Sequence, residues 1–429
     1  MSTNKQNRPQ PLDMLGRSGV VPLTEALNKL HSSLEHCPPT LPESVDLTEG
    51  LDRILTTPIQ ASEDLPPQPR STMDGFAVRA ADTFGASETM PVYLAVSGEV
   101  AMGETVNQGP GEQECFRIAT GGFLPPEVDS VIMLEHTVTI DEKMIEVTKA
   151  ISPGGNIIAT GDDVRRGSVL LESGIRLRPQ ELGLLAGLGE TKITVHKTVQ
   201  IGIFSTGDEI VPHDHFPPPG KIRDMNGINL CALARKHGAT VKYYGIVADR
   251  EEEFESTMNR ALSKNDMVLF SGSSSVGVRD MGERIINRLT KPGIIVHGVA
   301  IKPGKPVIIA FADHKPLFGL PGHPVSSAVA FDLFVRPTIL HLSGLKQRNF
   351  TDRATIRATL RRNLNSAPGR VDFVRVRLEE SDTSPGMDAF PVLGKSGAIS
   401  TMVRADGYIV IEESSQGLYE GEEVQVHTF

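Results

Sequence analysis

From Thr198 onward the chain alternates short apolar runs with amphipathic stretches, which is the pattern of strands followed by helices. The runs VQIGIF, TVKYYGIV, MVLF and GIIVHGVAI have the composition of buried strands. Apolar residues recur at helical spacing after them and predict helices at 226–237, 251–262, 280–289 and 325–342. This alternation predicts one doubly wound α/β unit over residues 194–344.

The flanking regions follow other patterns. Residues 60–152 alternate short β-like runs with Gly/Pro turns and predict a separate β-rich domain without a helix. Residues 345–429 hold short alternating strands, for which closure into a small β-barrel is expected. Helical spacing predicts helices at 21–34 and 179–186, and SVDLTEGLDRILTTPIQA predicts a short helix followed by an extended arm. Residues 1–20 are expected to form a disordered tail.

Composition limits the function and the compartment. The formal net charge of −10 argues against general binding to nucleic acid or to a membrane surface, although a local group of cations could still bind a small anion. The three cysteines are isolated, which argues against a disulfide framework or a structural zinc site. The N-terminus has no apolar segment of the secretory type, and no apolar run is long enough to span a membrane. A cytoplasmic protein is expected.

The segment LFSGSSSVGVRD places small polar residues between a predicted strand and a predicted helix. Backbone N–H groups, hydroxyls and the positive end of a helix together bind phosphates and other oxyanions. A flexible turn is the alternative interpretation. The candidate ligand-binding residues are Ser271, Gly272, Ser273, Ser275 and Gly277.

Asp280 ends this segment and precedes Glu283 by three positions, the spacing of a capping box. One interpretation is therefore an N-cap at the start of the helix 280–289. The other is a carboxylate that holds a cation, commonly Mg²⁺, against a bound phosphate. The two roles are compatible.

Two further segments are expected to meet the Ser-Gly loop. AIKPGKP places Lys302 and Lys305 on either side of a Pro-Gly turn, where two neighbouring ammonium groups suit a bound polyanion; two solvated surface lysines are the alternative. GLPGHPVS contributes the candidates Pro321 and Ser326. All three segments follow or contain a run that predicts a buried parallel strand, and ligands of open α/β sheets bind beyond the carboxyl ends of such strands.

The first strand of the α/β unit ends in FSTGDE, and IRDMN follows just before a helix. Hydroxyls and paired acids at strand ends suit ribose, an amino group or Mg²⁺. Helix capping is the equal alternative for Asp224 and Asn226. The other candidates here are Thr206, Gly207, Asp208 and Glu209.

Eight segments in order resemble the signatures of one enzyme family. They are RSTMDGFAV, RIATGGFLP, GDDVRRG, FSTGDEIV, SGSSSVGVRD, AIKPGKP, GLPGHPVSSAVAF and PGRVDFVRV. They are similar to the segments of molybdopterin molybdenumtransferase, the family of bacterial MoeA and the gephyrin E-domain. The resemblance extends from about Val21 to Phe429.

The resemblance implies a multidomain α/β and β architecture with four domains. These are a discontinuous elongated dimerisation domain (21–59 and 153–193), the β-rich domain (60–152), a MogA-like molybdopterin-binding domain (194–344) and the C-terminal β-barrel (345–429). It also implies a homodimer with the active site at the interface. The family reaction inserts molybdate into adenylylated molybdopterin, uses Mg²⁺, and releases AMP and molybdenum cofactor. Pterin hand-over from an adenylyltransferase is a further implied partnership.

The resemblance also implies roles for individual residues. The Ser-Gly loop and Asp280 would hold the pterin phosphate and the Mg²⁺ ion, with the TGDE loop near the nucleotide. The oxyanion would be bound by Lys302, Lys305, Arg370 and Ser400. The partner subunit would contribute Asp74, Thr120 and Asp163 to the site.

Two departures from the family pattern bear on the choice of metal. Ser273 stands where many members have glycine, and His323 replaces a frequent asparagine. Both lie near the expected oxyanion site, which leaves molybdate and tungstate open as substrates.

Two rival functions are considered. Adenylyl transfer to molybdopterin, the preceding step, would need only the central domain, so the three additional domains favour metal insertion. A purely scaffolding role is disfavoured because the chain has no long linker and no fused second enzymatic domain.

Overall fold

The computed structural model describes residues 20–272, 276–289, 291–346, 354–381 and 385–429, with the backbone alone for 276–281. The expected disordered tail therefore lies outside the described residues, apart from Val20. The predicted class, a multidomain protein with a central α/β unit, a β-rich unit and a C-terminal barrel, is confirmed.

The central domain is built on a six-stranded sheet in the order β16-β13-β17-β21-β20-β18. Strands β16, β13, β17 and β21 are parallel, and β20 runs antiparallel to both of its neighbours. The sequence pattern did not identify β20. The bounds are β13 Gln200–Thr206, β16 Thr240–Val247, β17 Met267–Ser271, β18 Pro292–His297, β20 Ile308–Ala312 and β21 Lys315–Leu320.

Helices cover both faces of this sheet, as in a doubly wound fold. One face carries α1, α3 and the continuous helical stretch that contains α6 and α7, and the other carries α4 and α5. That stretch, Pro324–Leu342, has the length and hydropathy of a membrane-crossing helix, but most of it is buried inside the protein. The bounds are α1 Leu23–Leu34, α3 Asn226–Lys236, α4 Glu251–Lys264, α5 Val276–Leu289, α6 Pro324–Ala330 and α7 Arg336–Leu342, with a π-helical turn at Phe331–Val335.

The α1 residues Ala26, Leu30 and Leu34 are buried in the core of the central sheet, so α1, which belongs to the segment 21–59, packs against the α/β domain. One sequence prediction about these helices needs correction. Helix α5 begins at Val276, so the N-cap interpretation of Asp280 is wrong. The capping-box spacing misled because residues three apart also share one face inside a helix.

The discontinuous domain joins two distant segments through short antiparallel ladders. β1 pairs with β12 over its whole length, and β2 pairs with β11. The predicted short helix is instead a strand followed by a 3₁₀ turn at Leu47–Glu49, and β12 carries this domain to His196, beyond the predicted boundary at 193. The bounds are β1 Pro42–Asp46, β2 Ile59–Gln60, β11 Val169–Leu171, α2 Pro179–Gly187 and β12 Lys192–His196.

The β-rich domain is a six-stranded sheet in the order β7-β4-β6-β5-β9-β8, with no α-helix among its described residues. A two-stranded ladder of β3 and β10 adjoins it. The bounds are β3 Arg70–Ser71, β4 Gly75–Val78, β5 Val92–Val100, β6 Glu114–Ile118, β7 Ser130–Met133, β8 Thr137–Asp141, β9 Met144–Val147 and β10 Ile157–Ile158, with 3₁₀ turns at Ala80–Thr83 and Leu134–His136.

The C-terminal strands β24, β25, β22, β28 and β26 close into a barrel, because β26 pairs with both β28 and β24. A short strand from the central domain, β19, extends this sheet beside β24 and places Lys302 opposite Asp372. The bounds are β19 Ile301–Lys302, β22 Thr355–Leu360, β24 Val371–Glu380, β25 Met387–Pro391, β26 Gly407–Ile411 and β28 Glu423–Thr428. Shorter elements are β14 Ile210–Val211, β15 Ile222–Arg223, β23 Leu364–Asn365, β27 Gly417–Leu418 and α8 Ser400–Val403.

Candidate functional site

The segments that the sequence predicts as parts of a site follow strands that end at one edge of the central sheet. Strands β13, β17 and β21 are parallel, and β18 runs in the same direction because it is antiparallel to β20. The Thr206 hydroxyl donates to the Ser271 carbonyl at 3.2 Å, and the Gly272 N–H donates to the Leu320 carbonyl at 3.4 Å. The structure therefore brings the FSTGDE, Ser-Gly and GLPGHP segments together.

The first residues of the Ser-Gly loop lie close to the end of β13. Gly272 has a φ of +120°, and a Cβ there would lie 1.9 Å from the Thr206 carbonyl oxygen. Only glycine fits this position. The buried Ser271 hydroxyl has no hydrogen-bond partner among the described residues. Ser273 and Ser275 lie outside the described residues, as do the side-chain position of Asp280 and the surroundings of Gly277.

Asp224 and Asn226 are both engaged within the protein. Asp224 accepts hydrogen bonds from the Ser205 hydroxyl and the Gly227 N–H, each at 2.9 Å, and from the Tyr243 hydroxyl. Burial and the contact with Asp224 raise the pKa of Tyr243, so its hydroxyl remains a donor. For Asp224 the structure matches the capping alternative, because these donors occupy both carboxylate oxygens.

Asn226 joins the start of α3 to the GLPGHP loop. Its side-chain amide donates to the Gly322 carbonyl at 2.8 Å and lies 3.5 Å from the Pro321 carbonyl. Its buried Oδ1 has no partner among the described residues. Asn226 therefore fixes the geometry of the loop and leaves one acceptor uncommitted beside it.

An acidic group lies at the ends of β13 and β16. Asp208 and Glu209, both exposed, follow β13, and Asp249 follows β16. The Asp249 N–H donates to Asp208 at 3.2 Å. Burial raises the pKa of Asp249, and the neighbouring charges of Asp208 and Glu209 raise it further. Asp249 was not among the residues predicted from the sequence, although its segment VADR also places an acid at the end of a strand.

These carboxylates supply the oxygen donors that Mg²⁺ prefers, and Asp249 Oδ1 has no hydrogen-bond partner among the described residues. No group of three or more acidic, histidine or cysteine side chains is arranged as a metal site in the part of the chain that the structure describes. Mg²⁺ in phosphate sites is usually held by one or two carboxylates together with substrate phosphates. The residues present therefore fit an ion that binds together with its substrate.

A cavity of about 770 Å³ lies between the central domain and the barrel. The predicted site residues in its lining come from the KPGKP turn, the GLPGHPVS segment and the loop before β24. They are Lys302, Lys305, Pro321, Ser326 and Arg370. Gly304 makes the turn between the two lysines with a φ of +117°, and both lysines consequently line the same cavity. The structure thus places three of the predicted oxyanion and loop segments around one space.

Other charged residues in the lining were missed by the sequence analysis. Asp372 accepts from Arg370 Nε at 2.9 Å and from Lys302 Nζ at 3.5 Å. Arg375 is buried, which lowers the pKa of its guanidinium, and it donates to the Gly394 carbonyl at 3.0 Å. Lys395 adds a further cation. These residues come from barrel segments, whose proximity to the KPGKP turn depends on the pairing of β19 with β24.

His323 lies at the N-cap position of α6 and lines the cavity. Its Nδ1 is 2.9 Å from the Ser396 hydroxyl, which ties the GLPGHP loop to the barrel. Ser400, a predicted oxyanion contact, begins the short helix α8 four residues later and is exposed. Ser400 is not among the described residues that line the cavity.

The candidates of the β-rich domain form a separate pair. The Asp74 carboxylate accepts from the Thr120 N–H at 2.7 Å and from the Thr120 hydroxyl at 2.8 Å. These bonds lower the pKa of Asp74, which keeps it ionised at an exposed position. Asp163 is also exposed, and its N–H donates to the Leu65 carbonyl at 3.1 Å.

Comparison with known protein families accounts for most of the chain. Residues 21–189 match the MoeA N-terminal region (domain I and II), residues 202–341 match a family described as "Probable molybdopterin binding domain", and residues 357–429 match the MoeA C-terminal region (domain IV).

Similar proteins match over nearly their whole length. A Methanocaldococcus jannaschii protein assigned to molybdopterin biosynthesis is 38% identical over 90% of this chain and 92% of its own. The molybdopterin molybdenumtransferase of Haemophilus influenzae is 32% identical over 95% of this chain and 98% of its own. The crystal structure of a molybdopterin biosynthesis MoeA protein from Pyrococcus horikoshii is 30% identical, covers 96% of this chain and all of its own, and superposes with a TM-score of 0.82. The chain therefore belongs to the MoeA family, which includes the molybdopterin molybdenumtransferases.

Proposed function

We propose that this protein inserts molybdenum into molybdopterin during molybdenum cofactor biosynthesis, using molybdate and adenylylated molybdopterin and releasing AMP. The observation that carries the proposal is the cavity between the central domain and the barrel, with its cationic wall beside the glycine-rich edge of the sheet. A dianion and a phosphorylated pterin can bind next to each other in such a place. The family membership supports the same reaction.

The cationic wall suits the metal oxyanion. Lys302 and Lys305 present ammonium groups, and Arg370 presents a guanidinium held in place by Asp372. Such groups bind doubly charged tetrahedral oxyanions and stabilise the charge that develops as AMP leaves. Molybdate and tungstate have the same charge and nearly the same size, so tungstate insertion by the same mechanism is the alternative within this proposal.

The pterin phosphate fits the edge of the sheet. Gly272 lets the Ser-Gly loop pass against the Thr206 carbonyl at this edge, and the Ser271 hydroxyl has no partner among the described residues. The positive end of α5 begins four residues after Gly272. Asn226, through its uncommitted Oδ1, offers an acceptor for an N–H or hydroxyl of the ligand.

Magnesium is the proposed cofactor. Asp280, in the second turn of α5, is the carboxylate proposed to hold it, and Asp249 and Glu209 are the described carboxylates that fit the same task. When bound, Mg²⁺ would neutralise the phosphate charge that builds up as AMP leaves. The acidic residues in turn would orient the ion and keep the nucleotide at the strand ends.

A homodimer is the proposed assembly. Asp74 and Thr120 form a preorganised, ionised pair on the exposed surface of the β-rich domain. We propose that this pair and Asp163 complete the site of the partner subunit. We also propose a cytoplasmic location and receipt of the pterin from an adenylyltransferase.

The test is release of AMP by the purified protein from adenylylated molybdopterin and Mg²⁺, with molybdate and tungstate in separate reactions. Oxyanion-dependent AMP release is expected. The competing function, adenylyl transfer to molybdopterin, predicts consumption of ATP without an oxyanion requirement. Consumption of ATP with no response to either oxyanion would replace the proposed function by that earlier step.

A further inference from the structure

One carboxylate in the cationic cavity lies between two of its cations. Asp372 is 2% exposed, whereas its partners Lys302 and Arg370 are both open to the cavity. The pairing of β19 with β24 places Lys302 directly opposite Asp372, and Arg370 lies two residues before Asp372, in the loop that leads into β24. Neither the sequence pattern nor the proposed reaction assigns a role to this carboxylate.

We propose that Asp372 is a positioning residue that acts as a built-in counter-anion, holding Lys302 and Arg370 toward the cavity and weakening their grip on the oxyanion. The inference rests on the proposed function, because it concerns the affinity of that same oxyanion site. It identifies Asp372 as the group that sets how tightly a tetrahedral dianion binds and how readily the site releases it.

The physical basis is competition for the same donors. A buried carboxylate retains its charge when it is paired, and here one carboxylate serves two cations. An oxyanion that binds at these cations meets a group of net charge +1 instead of +2. Its attraction is therefore reduced by a nearby like charge whose screening by solvent is small.

The same carboxylate also prevents the two cations from separating. Without it, the ammonium of Lys302 and the guanidinium of Arg370 would repel each other and turn toward solvent. A bound oxyanion could then bring the two cations together again, but each binding event would include the free-energy cost of ordering their side chains. Removal of the charge also removes a close repulsion of the oxyanion, and this effect is expected to outweigh the ordering cost, so equilibrium binding should strengthen. Turnover should slow because the oxyanion is retained more tightly and the two cations are aligned less well.

The experiment compares Asp372→Asn with the wild-type protein and with Asp388→Asn. Asp388 is a matched control, because it is 6% exposed, lies in the same barrel and pairs with one arginine among the described residues, Arg361, at 2.8 Å. It is absent from the described lining of the cavity. Binding of sodium molybdate and sodium tungstate is measured by calorimetry at constant ionic strength, and AMP release is measured on the same preparations.

For Asp372→Asn we expect the dissociation constants of both oxyanions to fall about tenfold, the scale of one charge at a partly exposed site. We expect the kcat of AMP release to fall about tenfold as well. Oxyanion binding would then improve while turnover falls, and a merely structural defect would weaken both. Asp388→Asn should leave the dissociation constants unchanged, whatever its effect on thermal stability.

Unchanged or weaker oxyanion binding by Asp372→Asn, with a wild-type protein that binds, would overturn the counter-anion role and leave the proposed function intact. A wild-type protein that binds neither oxyanion would overturn the oxyanion site itself. If Asp372→Asn does not fold, Asp372→Ser, which leaves room for water, is measured in its place with the same expectation. Failure of both to fold where Asp388→Asn folds would make Asp372 a structural ion-pair residue and contradict the proposal.

Discussion

Asp224 holds the start of α3 through hydrogen bonds to both of its carboxylate oxygens. It is 6% exposed and accepts hydrogen bonds from Ser205, Gly227 and Tyr243. The Gly227 N–H belongs to the first turn of α3, so this bond fixes the start of the helix. We predict that Asp224→Ala mainly lowers the stability of the central domain.

The magnitude follows from the three bonds. A hydrogen bond to a charged acceptor contributes about 1.5–3 kcal/mol to stability. Donors that stay buried without an acceptor destabilise the variant further, because they have lost their contact with water. Partial relaxation reduces the sum, so a loss of about 3–4 kcal/mol in the free energy of unfolding is expected for Asp224→Ala. Tyr243→Phe removes only one of the bonds to Asp224 and should cost about 1.5 kcal/mol, the lower end of that range.

Urea unfolding followed by far-UV circular dichroism measures these changes, because the chain has no tryptophan for fluorescence. The double variant of Asp224 and Tyr243 completes a thermodynamic cycle, in which the two losses should not add because the residues share a bond. Glu209→Ala is the control, since this exposed acid at the neighbouring strand end should change stability by less than about 0.5 kcal/mol. Wild-type stability in Asp224→Ala, together with loss of pterin-nucleotide binding, would refute the structural role and restore the substrate contact.

Three further predictions concern the proposed reaction. Lys305→Ala should raise the concentration needed for AMP release by a similar factor for molybdate and for tungstate, whereas His323→Asn should change the ratio of the two concentrations. If Lys305→Ala instead weakens binding of the pterin nucleotide, the lysine contacts phosphate. Asp280→Asn should lower turnover on the order of a hundredfold with little change in thermal unfolding, and full activity would remove Asp280 from the metal site. Heterodimers of Asp74→Ala and Asp280→Ala protomers should regain activity through one intact composite site, and verified heterodimers without activity would place both residues in one protomer's site or exclude Asp74.

The edge of the central sheet could be predicted because local patterns determine it. Continuous apolar runs such as VQIGIF and MVLF are typical of parallel strands buried on both faces. Parallel strands end at the same edge, so the residues that follow them, including Thr206, Ser271 and Pro321, had to lie together. The structure shows this arrangement through direct hydrogen bonds. No long-range information beyond the direction of the strands was needed.

The wall of the cavity that the barrel supplies could not be predicted in the same way. In RVDFVRV, alternation identifies a strand but does not show which surface its charged residues face. Asp372 and Arg375 line the cavity because β19, seventy residues earlier in the chain, adds to the barrel sheet beside β24. That pairing is a tertiary contact with no local signal. The resemblance to a known family predicted Arg370 as a site residue, but it did not predict Asp372, the carboxylate that holds Arg370 in place.

The two acids considered as helix caps show the same distinction between local and tertiary determinants. Asp224 and Asp280 each precede a helical pattern with suitable spacing, and the sequence left a capping role open for both. The structure confirms it for Asp224, whose helix starts where Asn226 is bonded to the GLPGHP loop. It contradicts it for Asp280, because α5 extends back to Val276. A buried, fully bonded carboxylate at a helix start has little left to offer a ligand, whereas a carboxylate inside the helix has no capping role to explain it. Metal binding by Asp280 therefore stays a prediction, and Asp224 is expected to act through the start of α3.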